Sequence, residues 1–129
     1  MAEVLSSHRN SVAWQKGMTL TKLVYQLTKS FPSDERFGLT NQLRRASVSV
    51  PSNIAEGKGR STTGELIQYL GFARGSLQEV DTQLELAILL GYGDVAAIRE
   101  AQALVVEGLK ILNATVVTLQ AKVAAKKRR

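Results

Sequence analysis

Apolar residues recur along the chain at steps of three and four, and nowhere keep up the step of two that a half-buried strand needs. Four segments carry this helical period. The first runs from about Val12 to Ser30, with Leu20, Leu23/Val24, Leu27 and Phe31 on one stripe. It stops at Pro32-Ser33-Asp34, a turn signal. The second starts near Thr40, taken as its N-cap, and ends near Gly57, with Leu39, Leu43, Ala46, Val50 and Ile54 in phase. The third follows Ser61-Thr62-Thr63. Leu66, Leu70, Ala73, Leu77, Val80, Leu84 and Ala87 alternate steps of four and three, a heptad seam, up to Gly91-Tyr92-Gly93. The fourth starts at Asp94, an N-cap, and carries Ile98, Ala101, Val105, Leu109, Leu112, Val116, Leu119 and Val123. Short loops between long helices make neighbours antiparallel, so the expected fold is all-α, an up-and-down four-helix bundle over residues 12–121. An N-terminal arm (1–11) and a basic tail (122–129) flank it.

Pro51 falls inside the second segment, where it removes a donor and predicts a kink near Ser47, although the apolar stripe keeps its phase through it. The stretch SVPSNIAEGKGRS that follows is glycine-rich but is no P-loop. Ser52 stands where the first glycine belongs, Gly59 follows Gly57-Lys58, and no strand precedes it. It reads as a corner between two helices. Lys58, Arg60 and the free N–H groups of the next helix make an anion site the alternative.

Two helix faces are not core. On helix two, Gln42, Arg45, Ser49, Asn53 and Glu56 form a polar stripe. Short Ser and Asn compete with the backbone inside an exposed helix, so the stripe predicts a polar seam against Arg74, Ser76 and Glu79 of helix three. On helix three, Gly64, Gly71 and Gly75, continued by Thr82, Leu86 and Leu89, lie opposite the heptad seam. With Leu104, Val106, Ile111 and Val117 off the stripe of helix four, they predict self-association through Gly71, Gly75, Leu86 and Leu89. Trp14, Met18 and Tyr25 share one side of helix one, for core or subunit packing.

Composition narrows the chemistry. With 129 residues, 44% hydrophobic and 22% charged, one folded domain is expected. No cysteine means no disulfide and no thiolate chemistry. No apolar run reads as long enough to span a bilayer, so no membrane partner is implied and the default location is cytoplasmic. The single histidine, His8, sits in the arm as a solvated residue. Metal-ligand spacing is absent, and no serine has a base nearby in sequence, so neither an enzyme nor a cofactor is expected. The net charge of +6 is unevenly spread. Residues 1–60 hold nine Lys/Arg and four Asp/Glu, residues 61–121 three and seven, and residues 122–129 five and none. A basic first half and an acidic second half favour contacts between the halves, within or between subunits.

The residues LTNQLRRASVSVPSNIAEGKGRS and GELIQYLGFARGSLQEVDTQLELAILLGY resemble the bacterial four-helix-bundle family of 23S rRNA intervening-sequence proteins. The resemblance spans about residues 12–118 and is densest at Gln42–Ala46, Asn53–Gly57, Gly59-Arg60, Ala73–Ser76 and Glu79. It implies a ring-like homopentamer without enzymatic activity. The family is also similar to retroelement accessory proteins that bind a reverse transcriptase and nucleic acid, which implies RNA or a ribonucleoprotein as partner. The candidate nucleic-acid contacts are Lys22, Lys29, Arg44, Arg45, Lys58, Arg60, Lys126, Lys127, Arg128 and Arg129. The alternative is a protein-interaction module that does not touch nucleic acid.

Overall fold

The structure, a computed structural model, describes residues 8–128. Helix α1 spans Val12–Thr28, α2 Leu39–Lys58, α3 Thr63–Leu90 and α4 Val95–Lys127. A short 3-10 turn, Ser33–Glu35, joins α1 to α2, and no strand occurs among the described residues. Three of the helix starts are capped by side chains: the Ser11, Thr62 and Asp94 oxygens accept from the backbone N–H groups of Trp14, Glu65 and Ala97. Gly91 closes α3 at φ 76°, the left-handed turn that favours glycine.

Two expected boundaries move. The N-cap of α2 is Gly38 rather than Thr40, which is buried in the first turn. The capping oxygen comes from the preceding 3-10 turn, where Glu35 Oε1 accepts from Leu39 N–H at 3.0 Å. Gly57 is not the helix end either. The helix runs to Lys58 and is capped by Gly59, and Gly57 is a buried close-approach point.

Cross-helix pairs establish that neighbours run antiparallel. Thr28 and Thr21 of α1 meet Arg44 and Ser47 of α2. Ser49 of α2 meets Ser76 of α3, nearer the corner Gly57 meets Tyr69, and Arg74 and Glu85 of α3 meet Asn113 and Arg99 of α4. Each helix packs on its chain neighbours and α4 closes back on α1, with no diagonal pairing, as in an up-and-down bundle. Of the heptad seam on α3 all but the half-buried Leu66 is buried, against Leu20, Leu43, Ile54, Ile98 and Leu112 among others. Leu104 and Ile111 of α4 also pack against this core, so only Val106 and Val117 of the four off-stripe residues stay exposed.

Pro51 does not interrupt α2. Its missing N–H leaves the Ser47 carbonyl without the usual partner, in a fully buried residue. The Thr21 hydroxyl of α1 lies 2.9 Å from that oxygen and 2.8 Å from Gly17 O, its own helix's acceptor. An unpaired buried carbonyl costs about 1–3 kcal/mol, and the single Thr21 proton, shared with Gly17 O, offsets part of that cost. Gly17 lets α1 approach: a Cβ there would lie 3.2 Å from Val50 Cγ1 and 3.3 Å from Pro51 Cδ.

At the far end of the bundle, Glu35 ties three elements together. Besides capping α2, its Oε2 accepts from the Tyr92 hydroxyl at 2.9 Å, between α3 and α4. The Leu39 N–H, then Tyr92, hold the Glu35 carboxyl below its ordinary value. The Glu35 carboxylate in turn pushes the Tyr92 phenol up. A depressed folded carboxyl contributes stability above its unfolded value, lost as pH falls through the folded one. A raised phenol contributes below its unfolded value, lost as pH rises through the folded one. Thermal melts of Glu35→Gln should therefore show a shallower loss of stability from pH 6 to 3 than the parent. Parallel curves would remove Glu35 from the acid response.

Candidate functional site

Antiparallel packing puts the end of α2, the start of α3 and the end of α4 at one end of the bundle. Here α4, five residues longer than α3, runs past the α2–α3 corner. Ser61, Thr62 and Thr63 face Val123, Lys126 and Lys127 across an open cleft of about 360 Å³. Lys58 borders a separate, mostly apolar cleft of about 320 Å³ with Leu66, Leu70, Ile111 and Leu119. Thr62 occupies Glu65 N–H, while the N–H groups of Thr63 and Gly64 begin the helix without an intrahelical acceptor and carry its positive dipole end. Lys58, Lys126 and Lys127 are exposed and have no ion-pair partner among the described residues. Glu65 and Glu56 are acids at this corner, and the Glu65 carboxylate accepts from the Thr62 hydroxyl at 3.0 Å.

Arg60 is engaged differently. One guanidinium nitrogen donates to Glu56 Oε1 at 2.8 Å and to the Tyr69 hydroxyl at 2.6 Å, and the group lies over the Tyr69 ring at 4.6 Å. Arg44 likewise donates to Thr28 Oγ1 at 2.9 Å and covers the Tyr25 ring at 4.7 Å. Lys22, Lys29 and Arg45 are exposed on the α1 and α2 surfaces, away from the corner. Arg128 caps α4, and Arg129 lies outside the described residues. Of the ten candidate contacts, the structure places Lys126 and Lys127 against the start of α3 and Lys58 in a separate cleft at the same end of the bundle.

The polar seam forms in part. Ser49 and Ser76 hydroxyls bond at 2.6 Å between α2 and α3, and Asn53 Nδ2 donates to Ser49 O at 2.8 Å. Gln42, Arg45, Ser49 and Glu79, with Asn41 and Ala46, line an open cleft of about 340 Å³. Arg74 is not in it. Its guanidinium donates to Asn113 Oδ1 at 3.0 Å, on the α4 side. Glu56 pairs along its own helix with Arg60 instead of crossing to α3. Gln83, two turns beyond Ser76, is buried, and its Oε1 has no partner.

The structure alters two further expectations. His8 is edge-on to Trp14 at 5.3 Å rather than simply solvated. Helix α4 is long and apolar enough, by length and composition, to cross a membrane, which corrects the expectation of no such run; 22% of its apolar window is buried in the bundle. No cluster of three metal-ligating side chains occurs among the described residues. Glu85, held below its ordinary value chiefly by Gln102 and further by Arg99, serves as a clamp between α3 and α4.

Residues 9–114 match the family model for 23S rRNA-intervening sequence proteins. Among solved structures, the fold resembles a protein of unknown function from the S23 ribosomal protein family of Bacteroides thetaiotaomicron VPI-5482. The two are 22% identical over 81% of this chain and 98% of that one, with a TM-score of 0.75. At that identity the likeness speaks for the fold alone. No curated protein matches.

Proposed function

Because the chain belongs to the family of 23S rRNA-intervening sequence proteins, we propose that it is a non-catalytic, self-associating helical scaffold that binds RNA, or the RNA of a ribonucleoprotein, through the basic end of its bundle. The observation that carries this reading is the convergence at the start of α3. Lys126 and Lys127 line one cleft with Ser61–Thr63, at a helix N-terminus with two unclaimed N–H groups, and Lys58, the last residue of α2, lines a second cleft at the same end of the bundle. Cations on a positive helix end suit phosphate oxygens, and they carry no base-edge chemistry, so the binding is to backbone and without strong sequence preference. Tyr69 at this corner is covered by Arg60 and packs edge-on against the ring of Phe72, which leaves base stacking on it a minor role.

Titration of the purified protein with single-stranded RNA at several salt concentrations tests the reading. Affinity should fall with a log–log slope of about −2 or steeper, as expected from roughly three neutralised phosphates. No binding at low salt, together with a protein partner recovered from cells, would favour the protein-interaction alternative. The cleft of Gln42, Arg45, Ser49 and Glu79 is the feature suited to that role, since it offers both signs of charge and neutral donors.

A further inference from the structure

We propose that the end of the bundle beside Lys58 holds a small-molecule site, and that its ligand is a single-chain apolar carboxylate, a fatty acid of medium length. The inference goes beyond the RNA reading and does not depend on it.

The site exists because α1 starts late relative to α4. Lys16 Nζ meets Glu107 Oε2 at 3.0 Å. Four residues back along α1 and four on along the antiparallel α4, that pair sets Val12 level with Ile111, while α4 runs on to Lys127. Beyond Val12 no described helix closes the α1 side of the core. The core therefore ends in an open cleft of about 320 Å³. Buried Leu70 and Leu112 form its floor, and half-buried Leu66, Ile111 and Leu119 its walls. Apolar side chains left facing water at the end of a packed core gain from any apolar chain that displaces that water. The volume lies near the lower end of the roughly 300–1,000 Å³ typical of small-molecule sites. It suits one alkyl chain better than the paired chains of a phospholipid.

The polar groups select the head of the ligand. Lys58 is the one charged residue lining the cleft, and it has no ion-pair partner among the described residues. Two hydroxyls also line it. Thr115 gives its proton to Ile111 O at 2.8 Å. The Ser11 oxygen accepts the Trp14 N–H at 3.2 Å, which leaves its own O–H to donate. An ammonium and a hydroxyl donor beside an apolar cleft without an acid fit an acceptor-only anion on an apolar body. A carboxylate can take both donors. A cationic amphiphile meets the like charge of Lys58.

Calorimetric titration of the full chain with the carboxylates from hexanoate to dodecanoate, each below its micelle concentration, tests the proposal. Affinity should rise roughly fourfold per added methylene and level off once the cleft is full. Lys58→Gln should weaken octanoate about threefold to fivefold and leave octanol unchanged. Thr115→Trp and Leu119→Trp, which fill the cleft from half-buried positions, should each weaken dodecanoate at least tenfold, with circular dichroism and RNA affinity as in the parent. No saturable binding of dodecanoate, an affinity independent of chain length, or parent-like binding by both folded tryptophan variants would overturn the proposal. Equal weakening of octanoate and octanol by Lys58→Gln would overturn the choice of a carboxylate. A protein that ignores dodecanoate but sediments with phosphatidylglycerol vesicles would assign this apolar end to a membrane surface instead.

Discussion

Replacing Gly57 with valine should destabilise the protein by about 3 kcal/mol, the upper end for forcing extra atoms into a packed site, and lower its melting temperature by roughly 10 °C. A Cβ at Gly57 would stand 2.8 Å from Tyr69 Cβ, 3.2 Å from Leu66 Cδ1 and 3.4 Å from Leu66 O. The nearest of these atoms is attached to the α3 backbone, so no rotamer change relieves it and α2 must move away from α3. Gly108 provides the contrast. Its added Cβ would meet Leu77 Cδ1 at 3.1 Å, the end of a side chain that can rotate. The helix propensity gained by alanine, about 1 kcal/mol, offsets that crowding, so Gly108→Ala should change stability by less than about 1 kcal/mol. Equal effects of the two variants in thermal or urea unfolding would mean that the α2–α3 approach at Gly57 is not tight.

The same close approach bears on the functional end. With α2 drawn onto α3 at Gly57, the chain needs only Gly59–Thr62 to turn the corner, and Lys58 and Arg60 are held beside the α3 N-terminus. Loosening that corner should weaken RNA binding as well as stability, and a parent-like affinity in a folded Gly57→Val protein would separate the two.

Much of this architecture was legible in the sequence, for physical reasons that can be named. The α3 seam from Leu66 to Ala87 keeps its period over six turns, and such a stripe has one solution, a buried helix face. Asp94 and Gly91 were readable because a cap acts on the backbone of its own helix. The α2 cap was misplaced at Thr40 because its oxygen comes from Glu35, across a turn that carries no period. Gly57 was read as a terminator because glycine signals both ends and close approaches, and only the neighbouring helix tells them apart. Arg74 was placed in the seam against elementary geometry: it lies two residues from Ser76, about 200° around the helix, and so faces α4. The pairing of Thr21 with the carbonyl freed by Pro51 had a signal, a hydroxyl required somewhere near Ser47, but its location depends on the α1–α2 register. The meeting of Lys126 with the α3 start was not expected, because residues 122–129 were set apart as a tail whereas α4 runs to Lys127. An antiparallel partner five residues longer must overshoot the start of α3.

Converting Lys58, Lys126 and Lys127 together to glutamine should reduce affinity for single-stranded RNA at least tenfold near 50 mM salt and make the log–log salt slope shallower by about 2, from roughly 0.7 per phosphate contact. Because the parent releases more counterions, the gap between the proteins should largely close between 50 and 200 mM salt. Stability should change by less than about 0.5 kcal/mol for each exposed replacement, so a loss of binding is not a loss of fold. Arg60→Gln should move the slope by well under one, because that guanidinium is already satisfied by Glu56 and the Tyr69 hydroxyl. Lys22→Gln with Lys29→Gln, on the outer surface of α1, should leave the slope unchanged. If that distant pair flattens the slope as much as the triple variant does, RNA is held by net charge spread over the surface, and the convergence around α3 does not make the site. If only the triple variant does so, the overshoot of α4 past the corner is what turns a solubilising tail into a phosphate clamp.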